Sequence, residues 1–482
     1  MKKRHPLLAA ALSLLLALPP AGFAQSDLPN LGDTASADLP WQLERQIGQD
    51  IMNQIRQREP TYLDDPEIES YLNTLGGRLV AATPEANAGF YFFALEDPTI
   101  NAFAMFGGFV GVHSGLILNV QNESELAGVL AHEVSHVTQR HLARGLEKQK
   151  QISTAGLLVM ALGLLAARSN ANVAEAAMVG SSAGMIQAQL GFTRDFEREA
   201  DRAGFLVLQK ADFDPHAMAS FFERLQKATR VYENNAPVYL RTHPLNIERI
   251  ADMQNRAQDL PYRQVPDSFD FHLIRARLLA RQGTPAEAVA HFQGLLREKR
   301  FSSLAATQYG LAVALERQKD WNGVERALQT AREQGIASPL IDRLAAEARL
   351  RNGDATGGLN AYREALARFP KSTALAYGYA EALLTQQKTD LGLQFLDGRI
   401  RADSRDARLY LLRARLYAAK GLTAQQHHAL AEAYALQGAL SAAIEQLELA
   451  QKSPSADFYE QSAIDARLRQ LKQQKAAETP LR

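Results

Sequence analysis

The chain has 482 residues, with 53 Lys and Arg, 53 Asp and Glu, and no cysteine. That length exceeds one hydrophobic core and predicts two or three domains, and the balanced charge gives no electrostatic reason to expect nucleic-acid binding. The lack of cysteine excludes disulfides, a thiol nucleophile, a zinc–thiolate site and a cysteine-linked lipid, so any metal would be held by His, Asp or Glu.

The first residues have the pattern of an export signal. Lys2, Lys3 and Arg4 precede an apolar run of twelve residues over 7–18, and small residues follow up to Ala24. Because this run is shorter than the ~20 residues that span a bilayer, a cleaved signal is favoured over an uncleaved anchor. We therefore predict that residues 1–24 are a signal peptide and that the protein is exported from a bacterial cytoplasm.

Residues 41–260 mix helical and strand-like patterns. Asp65 followed by Pro66 predicts an N-cap and the first position of a helix. Residues 90–95 predict a strand, and residues 100–120 predict a pair of strands joined by a glycine turn. A small sheet among helices is therefore expected, which makes the fold class of this part α+β and mostly helical.

A helix that starts after Asn122 carries the pattern on which the functional prediction depends. Asn122 is a candidate N-cap with Glu125 at the capping-box position, and the sequence His132-Glu133-Val134-Ser135-His136 follows. Histidines four residues apart lie on one face of a helix and can bind one Zn²⁺. Glu133 can accept a proton from a water at the metal without binding the metal itself. The competing interpretation is a purely structural helix that happens to carry two histidines.

A catalytic zinc site needs a third protein ligand. One common arrangement places a third histidine six residues after the second, but Leu142 stands at that position here. His141 is one residue away from it and turned off the ligand face. The sequence therefore predicts that the third ligand is a carboxylate from a later helix.

The candidate for that later helix begins near residue 195. Glu197, Asp201 and Gly204 share one face at helical spacing. Glu197 is the candidate ligand, Asp201 can hold the outer nitrogen of a ligand histidine, and Gly204 permits a close approach between helices. An ordinary solvated charged face is the alternative. Two further carboxylates are fallback ligands: Glu199 and Asp195.

Residues 269–482 have helical composition and a repeated spacing. Pairs of a small or branched residue and a bulky residue four positions later recur at intervals of 36, 34 and 34 residues: Ala288/Phe292, Val324/Leu328, Gly358/Tyr362 and Gly392/Leu396. A period near ~34 residues is typical of tetratricopeptide repeats. The next pair, Ala443/Leu447, follows after 51 residues, so a register slip with one unpaired helix is predicted. A generic α-solenoid is the alternative, and either array offers a concave surface for proteins or peptides.

The motif His132-Glu133-x-x-His136 with Glu197-x-x-Ala200-Asp201-x-x-Gly204 resembles the gluzincin zinc endopeptidases of the HtpX and CAAX-prenyl types. With the signal and the repeats, the chain resembles the BepA-like family of periplasmic β-barrel assembly-enhancing proteases of Gram-negative bacteria. The resemblance implies a zinc metalloprotease domain with a small β-sheet over residues 25–265 and an all-α tetratricopeptide-like solenoid over 266–482. It also implies one Zn²⁺ per chain, held by His132, His136 and Glu197, with Glu133 as general base and Asp201 behind a ligand histidine.

The same resemblance assigns two further segments. Asn101, Phe103 and His113 fall in the segment that matches the family's edge strand beside the metal, to which an extended substrate adds by main-chain hydrogen bonds. An ordinary hairpin that packs Phe103 and Phe109 is the alternative. His243, between Thr242 and Pro244, matches a histidine that fills the open metal position and holds the enzyme off, whereas plain chemistry makes it a loop histidine.

The resemblance implies a periplasmic zinc metalloendopeptidase and chaperone-like factor in the assembly and quality control of outer-membrane β-barrel proteins. The repeats would dock on the assembly machinery or on a stalled barrel, and the protease would degrade failing clients. The alternative is a non-proteolytic assembly scaffold with a structural zinc.

A membrane-embedded prenyl-protein protease is disfavoured because no later segment is long enough to span a bilayer. The apolar residues 155–167 are interpreted as buried packing, with a lid or a peripheral membrane contact as the alternative.

Overall fold

The computed structural model describes residues 39–86, 88–147, 194–231, 238–258, 260–261, 264–454 and 456–478. The predicted signal peptide and the apolar residues 155–167 lie outside these ranges. The described chain is mostly helical, with one small sheet in its N-terminal half and successive helices in its C-terminal half. The predicted α+β, mostly helical fold followed by an all-α array is therefore confirmed. No helix within the described residues is both long and apolar enough to cross a lipid bilayer.

From residue 39 onward, where the described part of the chain begins, two helices precede the sheet: α1 (Trp41–Arg58) and α2 (Pro66–Ala81). The predicted N-cap of α2 is confirmed, because Oδ1 of Asp65 accepts hydrogen bonds from the amides of Glu67 and Ile68. One face of α2 is buried against the sheet and the next long helix. The start of α2 is therefore fixed by its own cap, and its position is fixed by packing.

The sheet has three strands, β1 (Tyr91–Leu95), β2 (Ala102–Ala104) and β3 (Phe109–His113), in the order β1-β3-β2. β3 is central, parallel to β1 and antiparallel to β2. A 3₁₀ turn (Phe106–Gly108) joins β2 to β3, and Gly107 has a φ of +69° that favours glycine. The predicted strand pair with a glycine turn is confirmed, and β2 is an edge strand beside the following helices.

The helix that follows α3 (Ser114–Asn119) is central to the N-terminal half. This helix, α4 (Glu123–Thr138), is buried at every position. Its predicted N-cap is confirmed, since the Asn122 side chain accepts a hydrogen bond from the Glu125 amide at 2.9 Å. The Glu125 carboxylate accepts a hydrogen bond from the Gln121 amide at 2.6 Å, one residue earlier than a capping box requires.

Among the described residues, five shorter or crossing helices pack around α4 in the N-terminal half. They are α5 (His141–Glu147), α6 (Arg194–Lys210), α7 (His216–Val231), α8 (Val238–Thr242) and α9 (Ile247–Gln258). α6 and α7 pack directly on α4. The crossing of α4 and α6 brings together residues that are about sixty positions apart in sequence.

The C-terminal half is an array of helix pairs. First helices begin at residues 269, 304, 339, 373, 407 and 440, so the repeat is 33–35 residues long. The predicted slip with an unpaired helix is wrong, because Ala443 and Leu447 lie on the first helix of their pair instead of the second. The helices are α10 (Phe269–Arg281), α11 (Pro285–Arg297), α12 (Leu304–Arg317), α13 (Trp321–Arg332), α14 (Pro339–Arg351), α15 (Ala355–Arg368), α16 (Thr373–Thr385), α17 (Thr389–Ala402), α18 (Ala407–Ala419), α19 (Thr423–Leu436), α20 (Leu440–Gln451) and α21 (Phe458–Glu478).

The two halves share one hydrophobic core. Buried residues of α2, the sheet and α4 belong to the same cluster as buried residues of the first five helices of the array, α10 to α14. The predicted boundary near residue 265 falls between α9 and α10, and the domain limits themselves stay predictions. The repeats are therefore packed on the N-terminal half and do not form a separate rod.

Candidate active site

The crossing of α4 and α6 brings the three predicted ligands together. The Nε2 atoms of His132 and His136 are 2.9 Å apart, one helical turn from each other. Oε2 of Glu197 is 3.5 Å from Nε2 of His132, and its Oε1 is 3.4 Å from Nε2 of His136. All three side chains are buried. The crossing is close because α6 has Gly204 there: a Cβ would lie 3.0 Å from the His132 amide nitrogen.

His243, which directly follows α8, contacts His132, Glu197 and Glu133. Its Nδ1 lies 3.0 Å from Oε1 of Glu197 and 3.3 Å from Nε2 of His132. Its Nε2 lies 3.5 Å from Oε1 of Glu133. Donor atoms of the four residues His132, His136, Glu197 and His243 all lie within 4.8 Å of one another. The structure therefore places His243 at the cluster and not in an exposed loop.

The donor set suits a cation. The outer nitrogen Nδ1 of His132 is 3.0 Å from Oδ1 of Asp201, and Nδ1 of His136 is 2.9 Å from Nδ1 of His141. With protons on these outer nitrogens, both Nε2 atoms direct lone pairs at a point that the Glu197 carboxylate also faces. Acceptors that converge in a buried space require a positive charge between them. Two neutral imidazoles and a carboxylate are the ligands that Zn²⁺ takes, so the residues fit the metal.

The pKa values of His132 and Glu197 also indicate that the cluster favours a positive charge. Burial alone would lower the pKa of His132, but the contacts with Asp201 and Glu197 outweigh burial and raise the pKa of His132 to about 9. Burial alone would raise the pKa of Glu197, yet the neighbouring charge of His243 and hydrogen bonds from the histidines hold this pKa well below its usual range. The cluster is therefore electrostatically poised to hold a proton or a metal ion.

Arg249 of α9 orients both carboxylates of α6. Its Nε and Nη2 donate to the two oxygens of Asp201 at 2.6 and 2.8 Å, and its Nη1 is 2.7 Å from Oε2 of Glu197. Although burial would raise the pKa of Asp201, the bonds from Arg249 and His132 lower it. Asp201 is therefore held ionised behind His132, in the position that the sequence predicts for it.

The two fallback carboxylates are not part of the cluster. Glu199 contacts Arg144 and His141 at the side of α6. Asp195 is 82% exposed and pairs with Arg198. Neither residue belongs to the group whose donor atoms converge, so Glu197 is the carboxylate that the geometry favours as a ligand.

Glu133 lies between the cluster and the edge strand β2. Its Oε2 accepts a hydrogen bond from the Ala104 amide at 3.0 Å. Its Oε1 has no hydrogen-bond partner among the described residues, although it is fully buried. One oxygen is therefore fixed by the strand, and the other is available to accept a proton.

The hydrogen-bond register shows which residues of β2 face its free edge. The Asn101 carbonyl accepts from the His113 amide, and the Met105 amide donates to the Phe109 carbonyl, at 3.0 and 2.8 Å. Alternate residues of an antiparallel strand point to opposite sides, so Ala102 and Ala104 present their main-chain groups away from β3. Any strand that adds to the sheet here would pair with these two alanines.

Of the three residues assigned to the substrate edge strand, Phe103 lies on β2 and Asn101 lies directly before it, whereas His113 lies on β3. Asn101 and Phe103 direct their main-chain groups at β3, and the Phe103 ring packs in the core against Phe93. His113 is on the central strand, where its Nδ1 is 2.9 Å from the Thr99 hydroxyl. Their direct contact with an added strand is not supported by this register. The sequence suggests an edge strand, but it cannot show which of two alternating sets faces outward.

Two residues near the cluster were given no role from the sequence. The Tyr239 ring stacks on the His243 ring at 4.7 Å, and its buried hydroxyl has no hydrogen-bond partner in the described part of the chain. His141 contacts His136 from the side opposite the cluster. The sequence shows a tyrosine four residues before His243 and a histidine five residues after His136. These spacings alone do not determine where the two side chains lie relative to the cluster.

Comparisons with known proteins agree with this geometry. The profile of peptidase family M48 matches residues 66–257, and tetratricopeptide-repeat profiles match residues 256–303 and 349–416. The β-barrel assembly-enhancing protease of Escherichia coli (strain K12) is 35% identical over 475 residues, which is 97% of this chain and 95% of that protein. The protein of that name from Yersinia pestis is 33% identical over 93% of this chain and 92% of its own length. The mitochondrial metalloendopeptidase OMA1 of Schizosaccharomyces pombe is 30% identical over 40% of this chain and 54% of its own length.

Proposed function

This chain belongs to the family of β-barrel assembly-enhancing proteases within peptidase family M48 and is a metalloendopeptidase, and from that premise we propose that it degrades stalled or misfolded outer-membrane β-barrel proteins in the periplasm. The observation that carries the catalytic part is the convergence of His132, His136, Glu197 and His243 beside Glu133. The family implies a metal, and we propose one Zn²⁺ per chain, with His132, His136 and Glu197 as its ligands.

The proposed mechanism uses an acid–base group and a binding edge that the chain itself supplies. A bound zinc ion would lower the pKa of a water molecule and polarise the scissile carbonyl. Glu133 accepts the proton at Oε1, while the Ala104 amide keeps Oε2 in place. The same carboxyl group then delivers a proton to the leaving amine. The main-chain groups of Ala102 and the carbonyl of Ala104 bind the substrate main chain, which makes recognition tolerant of side-chain sequence.

The repeats provide the selectivity that such a main-chain site lacks. Tetratricopeptide arrays are protein-interaction surfaces, and the array here is packed on the protease half through a shared core. We propose that the repeats dock on the assembly machinery or on a stalled barrel and act as the chaperone-like part of the protein. The periplasmic location and the predicted signal peptide belong to the same proposal.

Replacement of Glu133 by Gln tests the catalytic proposal. The Gln side chain keeps the size of Glu133 but cannot take a proton, so we expect unchanged folding and zinc content and a loss of hydrolysis of at least ~100-fold. Hydrolysis of a urea-unfolded outer-membrane barrel protein by the purified full chain is the measurement, with Glu223→Gln on α7 as the matched control. Hydrolysis that persists in Glu133→Gln would show that this residue is not the general base.

A further inference from the structure

His141 occupies an unusual place for a buried histidine outside the ligand set. It opens α5 directly after Arg140, which has a left-handed φ of +54°, and this reversal turns His141 back onto α4. Its ring is 1% exposed and stacks on the Phe196 ring at 4.5 Å and 11°. The centroids of the His141 and His136 rings are 4.9 Å apart and the ring planes are inclined at 75°, so the two imidazoles meet edge-on and are not stacked.

The contact between the two histidines admits one arrangement of protons if His136 binds a metal through Nε2. Nε2 of His136 faces the cluster, so Nδ1 of His136 carries the proton. That proton points at Nδ1 of His141, 2.9 Å away, which must therefore be the acceptor. The proton of a neutral His141 is then on Nε2, which lies 3.3 Å from Oε2 of Glu199.

The sequence of contacts ends in an arginine. Nη1 of Arg144 donates to both oxygens of Glu199 at 3.0 Å. The other ligand histidine is backed in the same way, since His132 faces Asp201 and Asp201 is held by Arg249. Each of the two ligand histidines is therefore connected to a carboxylate that an arginine holds. His132 contacts its carboxylate directly, whereas the imidazole of His141 lies between His136 and Glu199.

We infer that His141 is a positioning residue for the metal site. Its Nδ1 accepts a hydrogen bond from Nδ1 of His136, and through this bond the charge of Glu199 orients the His136 ring. This inference rests on the proposed metal site. A hydrogen bond from the outer nitrogen fixes both the tautomer and the ring orientation of a ligand histidine. His141 is not itself a ligand, because its Nδ1 faces the outer nitrogen of His136 and it does not belong to the converging group.

A matched pair of substitutions separates positioning from packing. Asn and Leu have nearly the same shape, but only Asn retains an acceptor near the position of Nδ1. The dissociation constant for Zn²⁺ is measured on the purified full chain by competition with a chelator. We expect His141→Leu to raise this constant by about 10–100-fold and His141→Asn to stay within about threefold of wild type.

A spectroscopic signature and a second variant complete the test. In the Co²⁺-substituted protein, the exchangeable Nδ1 proton of His136 should give a shifted NMR signal that His141→Leu loses and His141→Asn retains. If His141→Leu does not fold, Glu199→Gln should still weaken zinc binding about tenfold, because the orienting charge is gone.

Four results would overturn the inference. Wild-type affinity in His141→Leu, or equal losses in the Leu and Asn variants, would assign His141 a packing role only. Wild-type affinity in Glu199→Gln would break the proposed connection to the carboxylate. A wild-type chain that binds no zinc would overturn the proposed metal site as well, whereas the other three results leave that site standing.

Discussion

At the residue scale, His243 is the side chain that lies between the proposed metal ligands and the proposed general base. It contacts Glu197 and His132 on one side and faces Glu133 on the other. Two main-chain hydrogen bonds fix the position of His243. The His243 amide donates to the Tyr239 carbonyl, and the Tyr239 amide donates to the carbonyl of Ile100 next to β2. A small movement of α8 would therefore change both the access to the cluster and the surroundings of the general base.

Replacement of His243 by Ala should raise proteolysis. Removal of the imidazole opens the proposed fourth position beside Oε1 of Glu133, while the three proposed ligands remain to hold the metal. We expect hydrolysis of an unfolded protein to increase several-fold at unchanged zinc content, measured as the initial rate of fragment formation. His216→Ala, which removes a histidine paired with Asp214 outside the cluster, is the control. Unchanged or lower activity in His243→Ala would contradict a blocking role.

The sequence was informative at this scale where a spacing determines a geometry. Residues four positions apart on a helix must share a face, so the approach of His132 to His136 follows from their numbers alone. His141 shows the limit of such reasoning, since its contact with His136 depends on the left-handed backbone of Arg140 and on the α6 side chains behind it. The same holds for Arg249, whose bonds to Asp201 and Glu197 require the placement of α9.

At the element scale, the proposed metal site depends on how closely α4 and α6 approach. Gly204 was predicted to allow a close approach, and a Cβ at this position would lie 3.0 Å from the His132 nitrogen and 3.1 Å from the Ala131 carbonyl carbon. These are backbone atoms, so they cannot rotate away as a side chain can. By contrast, the sequence could not predict which residues of β2 direct their main-chain groups at its free edge. A three-residue strand has too few alternating residues to reveal its register.

Replacement of Gly204 by Ala should weaken metal binding by moving the helices apart by a few tenths of an ångström. Ligand sites tolerate only about 0.5 Å of displacement, so we expect the dissociation constant for Zn²⁺ to rise about tenfold. Gly77→Ala is the matched control, because Gly77 is an exposed glycine of α2 with nothing within 4 Å of its Cβ position.

The two variants should also differ in stability. The control should raise the free energy of unfolding by about 0.5–1 kcal/mol, since alanine is the better helix former. In Gly204→Ala the crowding at α4 should cancel this gain. Chelator competition and urea unfolding measure the two effects, and equal zinc affinity in both variants would show that the crossing tolerates the added methyl group.

At the scale of the whole molecule, buried ion pairs connect the start of α2 with the repeats. Glu67 contacts Arg277 of α10 at 2.9 Å, pairs with Arg343 of α14, and accepts from the Tyr309 hydroxyl at 3.2 Å. Arg277 also pairs with Asp65, the cap of α2, at 2.7 Å. The repeat period and the protease motifs could be predicted separately from the sequence, but this connection could not. It joins residues more than two hundred positions apart, and no spacing rule applies to such a pair.

Replacement of Glu67 by Ala should therefore loosen the repeats from the protease half. The change leaves two mostly buried guanidinium groups with fewer partners, and breaking a buried pair costs about 3–5 kcal/mol. Calorimetry of the wild-type chain should show one cooperative transition, since both halves share a core. In Glu67→Ala we expect a lower midpoint and separation into two transitions.

The control for this prediction is another ion pair between the same halves. Glu96 pairs with Arg281 at 2.9 Å, but both side chains are at least one-third exposed. Such pairs contribute less than about 1 kcal/mol, so Glu96→Ala should keep a single transition near the wild-type midpoint. If Glu67→Ala behaves like Glu96→Ala, the shared apolar core alone couples the halves. In that case the buried charges would set only the relative orientation of protease and repeats, and the free energy that joins them would come from apolar burial.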